Sequence, residues 1–161
     1  VNEFTEYSRS PMLKRESVDL ISLINEVIRL YEKNDLEVSL SSRYKTFKFK
    51  CDQTKLRQVI VNLIQNAYEA KKEKVKSTID IKLSKNKEYV QISFKDNGIG
   101  FNSEIDPFEP YVTTKKTGTG LGLAVVKKII EEHNGNIIIK NNERSGVTVK
   151  LQFKLQNEKS N

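Results

Sequence analysis

Amides, a carboxylate and closely spaced glycines fall in this sequence in an order that chemistry can use. The segments are Asn62-Leu-Ile-Gln-Asn66, Asp96-Asn-Gly98-Ile-Gly100 and Gly118-Thr119-Gly120-Leu121-Gly122-Leu123. Asn62 and Asn66 are about one helical turn apart and share a stripe with Lys55, Gln58 and Glu69. An amide oxygen is a hard donor that can ligate Mg²⁺, whose other ligands are then waters and phosphate oxygens. The same spacing also lets the two amides satisfy buried backbone groups. Asp96 ends an alternating segment, where a carboxylate can accept a hydrogen bond from the exocyclic amine of adenine. Gly98 and Gly100 let the backbone approach a flat base, although Asp-Asn-Gly is also an ordinary turn. The third segment runs into a helical pattern, so its N–H groups and the helix N-terminus can hold phosphate oxygens. Thr113, Thr114 and Lys115 precede it and add hydroxyl and ammonium donors. It lacks the Gly-Lys-Ser/Thr of a P-loop, and its third glycine comes too early for the dinucleotide fingerprint. Each segment alone says little; in this order they describe a pocket for a nucleotide.

The elements that must position these groups can be read from periodicity. Leu20, Ile24, Val27, Ile28 and Tyr31 predict an amphipathic helix, capped by Ser17 or Asp19. Alternation over 36–42 and 46–50 predicts a pair of short strands. Asp52 is placed to cap a long helix from Gln53 to about Lys72, with Leu56, Val59, Ile60, Leu63, Ile64 and Ala67 as its buried stripe. Ile79, Ile81 and Leu83, then Val90, Ile92 and Phe94, read as a hairpin turning at Lys85-Asn86-Lys87. Residues 101–119 show almost no periodicity, and a connection this long inside a domain is usually functional. A helix from Leu121 to about His133 stops at Asn134-Gly135. Strands over 136–140 and 147–154 complete a mostly antiparallel sheet. The order predicts a two-layer α/β sandwich with helices on one face. Val1, Phe4 and Tyr7 have helical spacing that Pro11 stops, as at the tail of a helix whose body lies upstream. The polar residues from Gln156 read as a disordered tail.

Composition narrows the classes. At 161 residues the chain can build one domain with a real core and a short extension, not two full domains. No apolar run reaches the roughly 20 residues of a membrane span, and no signal peptide is visible. Because the sequence opens on Val1, it reads as a piece of something longer, whose membrane attachment stays open. The single cysteine, Cys51, forms no internal disulfide, and with one histidine no zinc site of the usual kind can be built. The net charge of +7 would suit nucleic acid, but the lysines are dispersed. The densest group (Lys71, Lys72, Lys74, Lys76) reads as closing the long helix, where cations complement its dipole.

With these motifs in place, the chain resembles the catalytic ATP-binding domain of a sensor histidine kinase. That family sits within the GHKL (Bergerat-type) ATPases, a group that includes type II topoisomerases and Hsp90 chaperones. Residues 52–70 resemble its N box, 96–100 its first glycine box, Phe108-Glu-Pro its F box and 118–123 its second glycine box. Gly146-Val-Thr148 resembles the late Gly-x-Thr element near the adenine. Asn66-Ala-Tyr-Glu69-Ala and Tyr111-Val-Thr113-Thr114-Lys115 resemble the nitrogen-regulation (NtrY/NtrB-like) type most closely. The match spans roughly 17–155. It implies an end of a dimerisation helix with linker over 1–14, a catalytic domain over 15–155 and a tail over 156–161.

The resemblance implies roles position by position. Asn66 would hold Mg²⁺, with Asn62 beside the phosphates and Glu69, on the same stripe, among the cofactor-binding residues. Asp96 would bind the adenine amine with Thr148 nearby, and Gly98 and Gly100 would line the base. The segment 101–119 would be a lid packed by Phe108. Thr113, Thr114, Lys115 and Gly118, Thr119, Gly120, Leu121, Gly122 and Leu123 would surround the phosphates, with Asn62, Asn66 and Lys115 closest to the chemistry.

Relatives that hydrolyse ATP carry a glutamate general base where this chain has Asn62. An amide cannot take a proton from water, whereas a neutral imidazole is already a nucleophile, so Asn62 argues for transfer to histidine. The phosphoacceptor should lie upstream of Val1, because His133 reads as a structural residue at a helix C-terminus. The expected partners are a histidine-bearing dimerisation domain of the same protein and a response regulator, with no nucleic acid. The piece itself is expected to be monomeric and cytoplasmic, the full protein a homodimer with an inner-membrane anchor left open. The competing classes are a nucleotide-binding regulatory module without transfer activity and a GHKL-type serine kinase.

Overall fold

The computed structural model describes residues 12–109 and 122–155. The expected N-terminal helical stretch, the polar tail and the segment from Pro110 to Leu121 lie outside the described residues.

Strands β4 (Ser77–Lys85), β5 (Tyr89–Asp96) and β7 (Val147–Lys154) form the middle of a sheet edged by β2 (Leu36–Ser41) and β6 (Gly135–Asn141). The order is β2-β4-β5-β7-β6, with β2 parallel to β4 and all other neighbours antiparallel. Alternation fixes the faces. Ile79, Ile81 and Leu83 of β4 are buried, as are Val90, Ile92 and Phe94 of β5 and Val147, Val149, Leu151 and Phe153 of β7. Helices α1 (Leu20–Arg29), α2 (Gln53–Glu69) and α3 (Gly122–Glu132) cover this apolar face. The stripe Leu56, Val59, Ile60, Leu63, Ile64 and Ala67 of α2 is buried as its spacing predicts. Among the described residues no helix is long and apolar enough to cross a membrane.

Short polar side chains place the element ends. The Asp19 carboxylate caps α1 through Ile21 N–H at 3.1 Å and also accepts Phe47 N–H at 2.9 Å. Asp52 caps α2 through Lys55 N–H at 3.2 Å. In the β4–β5 turn, Asn86 Oδ1 accepts from the N–H groups of Glu88 and Tyr89, each at 2.8 Å. Helix α3 stops where Asn134 takes a left-handed φ of 58°.

Three expectations are corrected. The strands predicted over 36–42 and 46–50 exist, but they do not pair with each other. β2 runs parallel to β4, and β3 (Lys48–Cys51) pairs antiparallel with an unforeseen β1 (Glu16–Asp19). Helix α2 ends at Glu69, not Lys72, because Gly98 closes over Ala70, whose carbonyl accepts Ile99 N–H at 2.8 Å. The lysines after it therefore do not close the helix. Lys71 lies over the Tyr68 ring at 4.6 Å, and Lys76 pairs with Glu37 at 3.6 Å. Helix α3 ends at Glu132, as expected, while its expected first residue, Leu121, lies outside the described residues.

Candidate nucleotide site

Two neighbouring core rows turn polar at the same edge of the sheet. On β5 the row Val90, Ile92, Phe94 continues into Asp96; on β4 the row Leu83, Ile81, Ile79 continues into Ser77. Ile79 and Asp96 are direct cross-strand partners, so the carboxylate faces the helix-covered side and is half-buried. Ser77 Oγ is buried and has no hydrogen-bond partner among the described residues. A buried hydroxyl left unpaired beside a carboxylate is costly in a closed core and is natural at the rim of a polar ligand site.

The main chain fixes the Asp96 carboxylate. Its Oδ1 accepts N–H from Gly98 at 2.9 Å and from Val147 at 3.1 Å. Gly146 (φ +86°) lies flat against it: a Cβ there would stand 2.0 Å from Asp96 O and 2.6 Å from Oδ1. Only glycine fits at this approach and this backbone angle. A Cβ on Gly98 would meet Ala70 O at 2.5 Å, so the glycine loop sits tightly on the end of α2. Gly100 follows, and Phe101 is bonded through both its N–H and its carbonyl to the Asn141 side chain, at 2.9 and 2.8 Å.

The stripe on α2 fans between its two neighbouring helices. Asn66 lies against the first residue of α3: a Cβ on Gly122 would stand 3.6 Å from Asn66 Oδ1. That is ordinary contact, so no described neighbour demands glycine there. Asn62 is half-buried one turn earlier. Glu69 accepts from Gln65 Nε2 at 3.2 Å, while Tyr31, just past the end of α1, donates to Gln65 Oε1 at 3.4 Å. Burial, then the Glu69 charge, push the Tyr31 hydroxyl above its usual pKa. Lys55 is taken by Glu132 of α3 at 3.0 Å. Leu123 packs on the core, as does Phe108, whose ring has Lys127 Nζ 5.0 Å from its centroid.

Thr148 departs from its expected place. In β7 it alternates with core-facing Val147 and Val149 and stands opposite Lys95, on the far face of the sheet from Asp96. Its hydroxyl donates to Asn142 Oδ1 instead. Val147 occupies the position beside the carboxylate. Thr113, Thr114, Lys115, Gly118, Thr119, Gly120 and Leu121 lie outside the described residues.

The opposite ends of the helices carry a second polar cluster. His133 is 5% exposed and Asp52 8%. Ring Nδ1 lies 2.8 Å from Ile129 O, which can only accept, and Asp52 N–H donates to Nε2 at 3.1 Å. The imidazole is therefore the neutral Nδ1–H tautomer. Burial pushes its pKa below the usual 6.5, against the opposing pull of the Ile129 carbonyl. For Asp52, burial raises the pKa, but the N–H groups of Lys55 and Lys14 outweigh it and hold the carboxyl low. Cys51 is buried, and burial followed by Asp52 and Glu16 pushes its thiol up to about 12, so it is unreactive.

A carboxylate fixed at a glycine turn, beside an amide-bearing helix and the start of a second helix, defines a nucleotide-binding ATPase-type domain. Residues 51–157 match the family described as histidine kinase-, DNA gyrase B- and HSP90-like ATPases, and the chain belongs to it. Within that family it is a sensor-histidine-kinase catalytic domain. It is 36% identical over 160 residues to an NtrY-like sensor histidine kinase of Rickettsia bellii, covering 97% of this chain and 26% of that protein. It is 34% identical over 157 residues to the sensor histidine kinase ZraS of Escherichia coli, covering 94% and 33%. The chain thus spans between a quarter and a third of the length of these relatives. It also superposes on the catalytic domain of the histidine kinase ThkA with a TM-score of 0.79, at 32% identity, covering 88% of this chain and 96% of that one.

Proposed function

We propose that this domain binds MgATP and passes its terminal phosphoryl group to a histidine on a dimerisation domain of the same protein, from which it moves to a response regulator. The observation that carries the reading is the Asp96 carboxylate, held by the Gly98 and Val147 N–H groups at the edge where two core rows turn polar. That arrangement fits an adenine amine donating to the carboxylate. Gly98 and Gly146, packed on Ala70 O and on Asp96 itself, fix the loop that presents the carboxylate.

Asn66 suits a divalent cation, since its amide oxygen is a hard donor and lies against Gly122 at the start of α3. Mg²⁺ bound there would neutralise phosphate charge. Asn62 and the N-terminus of α3 would face the phosphates, together with Thr113, Thr114, Lys115 and the glycines from 118 to 122. Asn62 supports transfer over hydrolysis, because an amide cannot deprotonate water. Glu69 would act at the margin of the site, and Thr148 is not among the residues proposed to touch the base. His133 is the only histidine of the 161 residues, and both ring nitrogens are occupied by the main chain, so the acceptor must be supplied from elsewhere.

A response regulator as second partner is supported by ThkA, solved in complex with the response regulator TrrA and 30% identical to this chain. We further propose residues 15–155 as the catalytic unit, monomeric alone and cytoplasmic, in a protein that dimerises through its histidine-bearing helices. The test is phosphotransfer in trans. The domain is incubated with MgATP and a purified histidine-bearing dimerisation domain from the full-length protein. Acid-labile phosphate on the helices, lost in Asn66→Ala, supports the reading. MgATP binding without any transfer would leave a nucleotide-binding module and defeat the kinase assignment.

A further inference from the structure

The β6–β7 turn holds the glycine loop by its carbonyls. Asn142 Nδ2 donates to Asp96 O at 3.1 Å and to Ser145 O at 3.0 Å. Ser145 Oγ lies 3.0 Å from Asn97 O and 2.9 Å from Gly98 O. Asn142 N–H donates to Gly146 O at 2.8 Å and closes the turn. Three successive carbonyls, from Asp96 to Gly98, are thus gripped by two side chains of one turn.

The Asn142 amide can act this way in one orientation only. Carbonyls accept and cannot donate, so the NH₂ must face Asp96 O and Ser145 O, and Oδ1 then needs a donor. Thr148 supplies it from the outer face of the sheet. The result is a chain of bonds through the sheet: Thr148 hydroxyl, Asn142 amide, Asp96 main chain, and on the core side the Asp96 carboxylate. Gly146 presses on that carboxylate from the same turn.

We infer that Thr148 and Asn142 are positioning residues for Asp96 and set base selectivity without touching the base. The inference rests on the proposed nucleotide reading, which it deepens. A carboxylate chooses an amine donor over a carbonyl acceptor only while it is held in place, and a shift of a few tenths of an ångström weakens that choice. Thr148 therefore acts on the site indirectly, from the face opposite the one its motif suggested.

The experiment compares the wild-type domain with Asn142→Ala, Thr148→Val and Thr148→Ser. Calorimetry gives affinities for MgATP and MgGTP, and amide hydrogen exchange at Gly98 and Val147 is followed without nucleotide. Asn142→Ala is expected to weaken MgATP about tenfold, as for the loss of two neutral hydrogen bonds, and to shrink the ATP-over-GTP preference by a similar factor. Thr148→Val should lose about threefold and Thr148→Ser should restore it. Exchange at Gly98 and Val147 should quicken in the same order. Should Asn142→Ala fail to fold, the Thr148 pair reports on the same chain of bonds. An ATP-to-GTP ratio or amide exchange equal to wild type in Asn142→Ala and Thr148→Val would overturn the inference. If the wild type binds neither nucleotide while exchange still quickens, the positioning stands and the nucleotide reading falls.

Discussion

Helix α2 carries polar groups at both ends and treats them in opposite ways. At its start, Asp52 and His133 are buried and bonded inward: to the N–H groups of Lys55 and Lys14, to Ile129 O and to each other's element. At its end, Asn66 and Asp96 are half-buried, with Asp96 pinned by the main chain and Asn66 lying against Gly122 at the start of α3. The first pattern satisfies every donor and acceptor within the fold and reads as scaffold. The second spends rigid backbone on orienting a half-buried carboxylate at the polar edge of the sheet, which reads as a site. Burial alone would have ranked the two ends the wrong way round.

Substitutions should separate the two ends. The largest effect is expected for Gly146→Ala, whose methyl would stand 2.0 Å from Asp96 O at a backbone angle that L residues rarely adopt. It should cost at least ~2 kcal/mol of stability and abolish nucleotide binding, as read by thermal melting and calorimetry. A protein that melts and binds like wild type would show that the carboxylate is not held as described.

His133→Leu comes next. It leaves the buried Asp52 N–H without its acceptor and should cost about 1–3 kcal/mol in a denaturant melt while changing ATP affinity little. The same cluster sets a pH dependence. His133 has a folded pKa below 6.5, so the unfolded chain binds the extra proton first as pH falls. Its contribution is complete above about 6.5 and is lost on acidification toward the lower folded value. Asp52, with a folded pKa below its usual 3.8, adds a further loss below that value. Wild type should lose stability on acidification below pH 6.5 more steeply than His133→Leu; equal slopes would remove His133 from the account. The smallest effect is expected for Lys55→Ala. Its partly exposed bridge to Glu132 at 3.0 Å is worth ~0.5 kcal/mol, and nucleotide affinity should not move.

Much of this contrast was legible in the residues. The α2 stripe, the Asp52 cap, the Asn86 turn and the Asp96 glycine loop all rest on local chemistry, and each lies where that chemistry puts it. His133 as a structural residue was equally readable, though its Asp52 partner, 81 positions away, was not. Parallel pairing of β2 with β4 and the short β1 escaped because neither has a local signature: a partner about 40 residues downstream leaves no mark on alternation. Thr148 is a different kind of miss. Val147, Val149, Leu151 and Phe153 already formed a core row, and Thr148 falls between its members, so period-two alternation placed it on the far face. The Asn142 grip had no signal beyond ordinary turn composition, because its partners are carbonyls brought near only by the folded sheet.

The central claim, that Asp96 recognises an adenine amine, is tested most directly by titrating MgATP and MgGTP into the wild-type domain and into Asp96→Asn. The account predicts clear preference for ATP in the wild type, a loss of about 10–100-fold in ATP affinity in Asp96→Asn, and little change in melting temperature. Equal affinity for the two nucleotides in the wild type, or an Asp96→Asn variant that binds ATP as well as wild type, would contradict it.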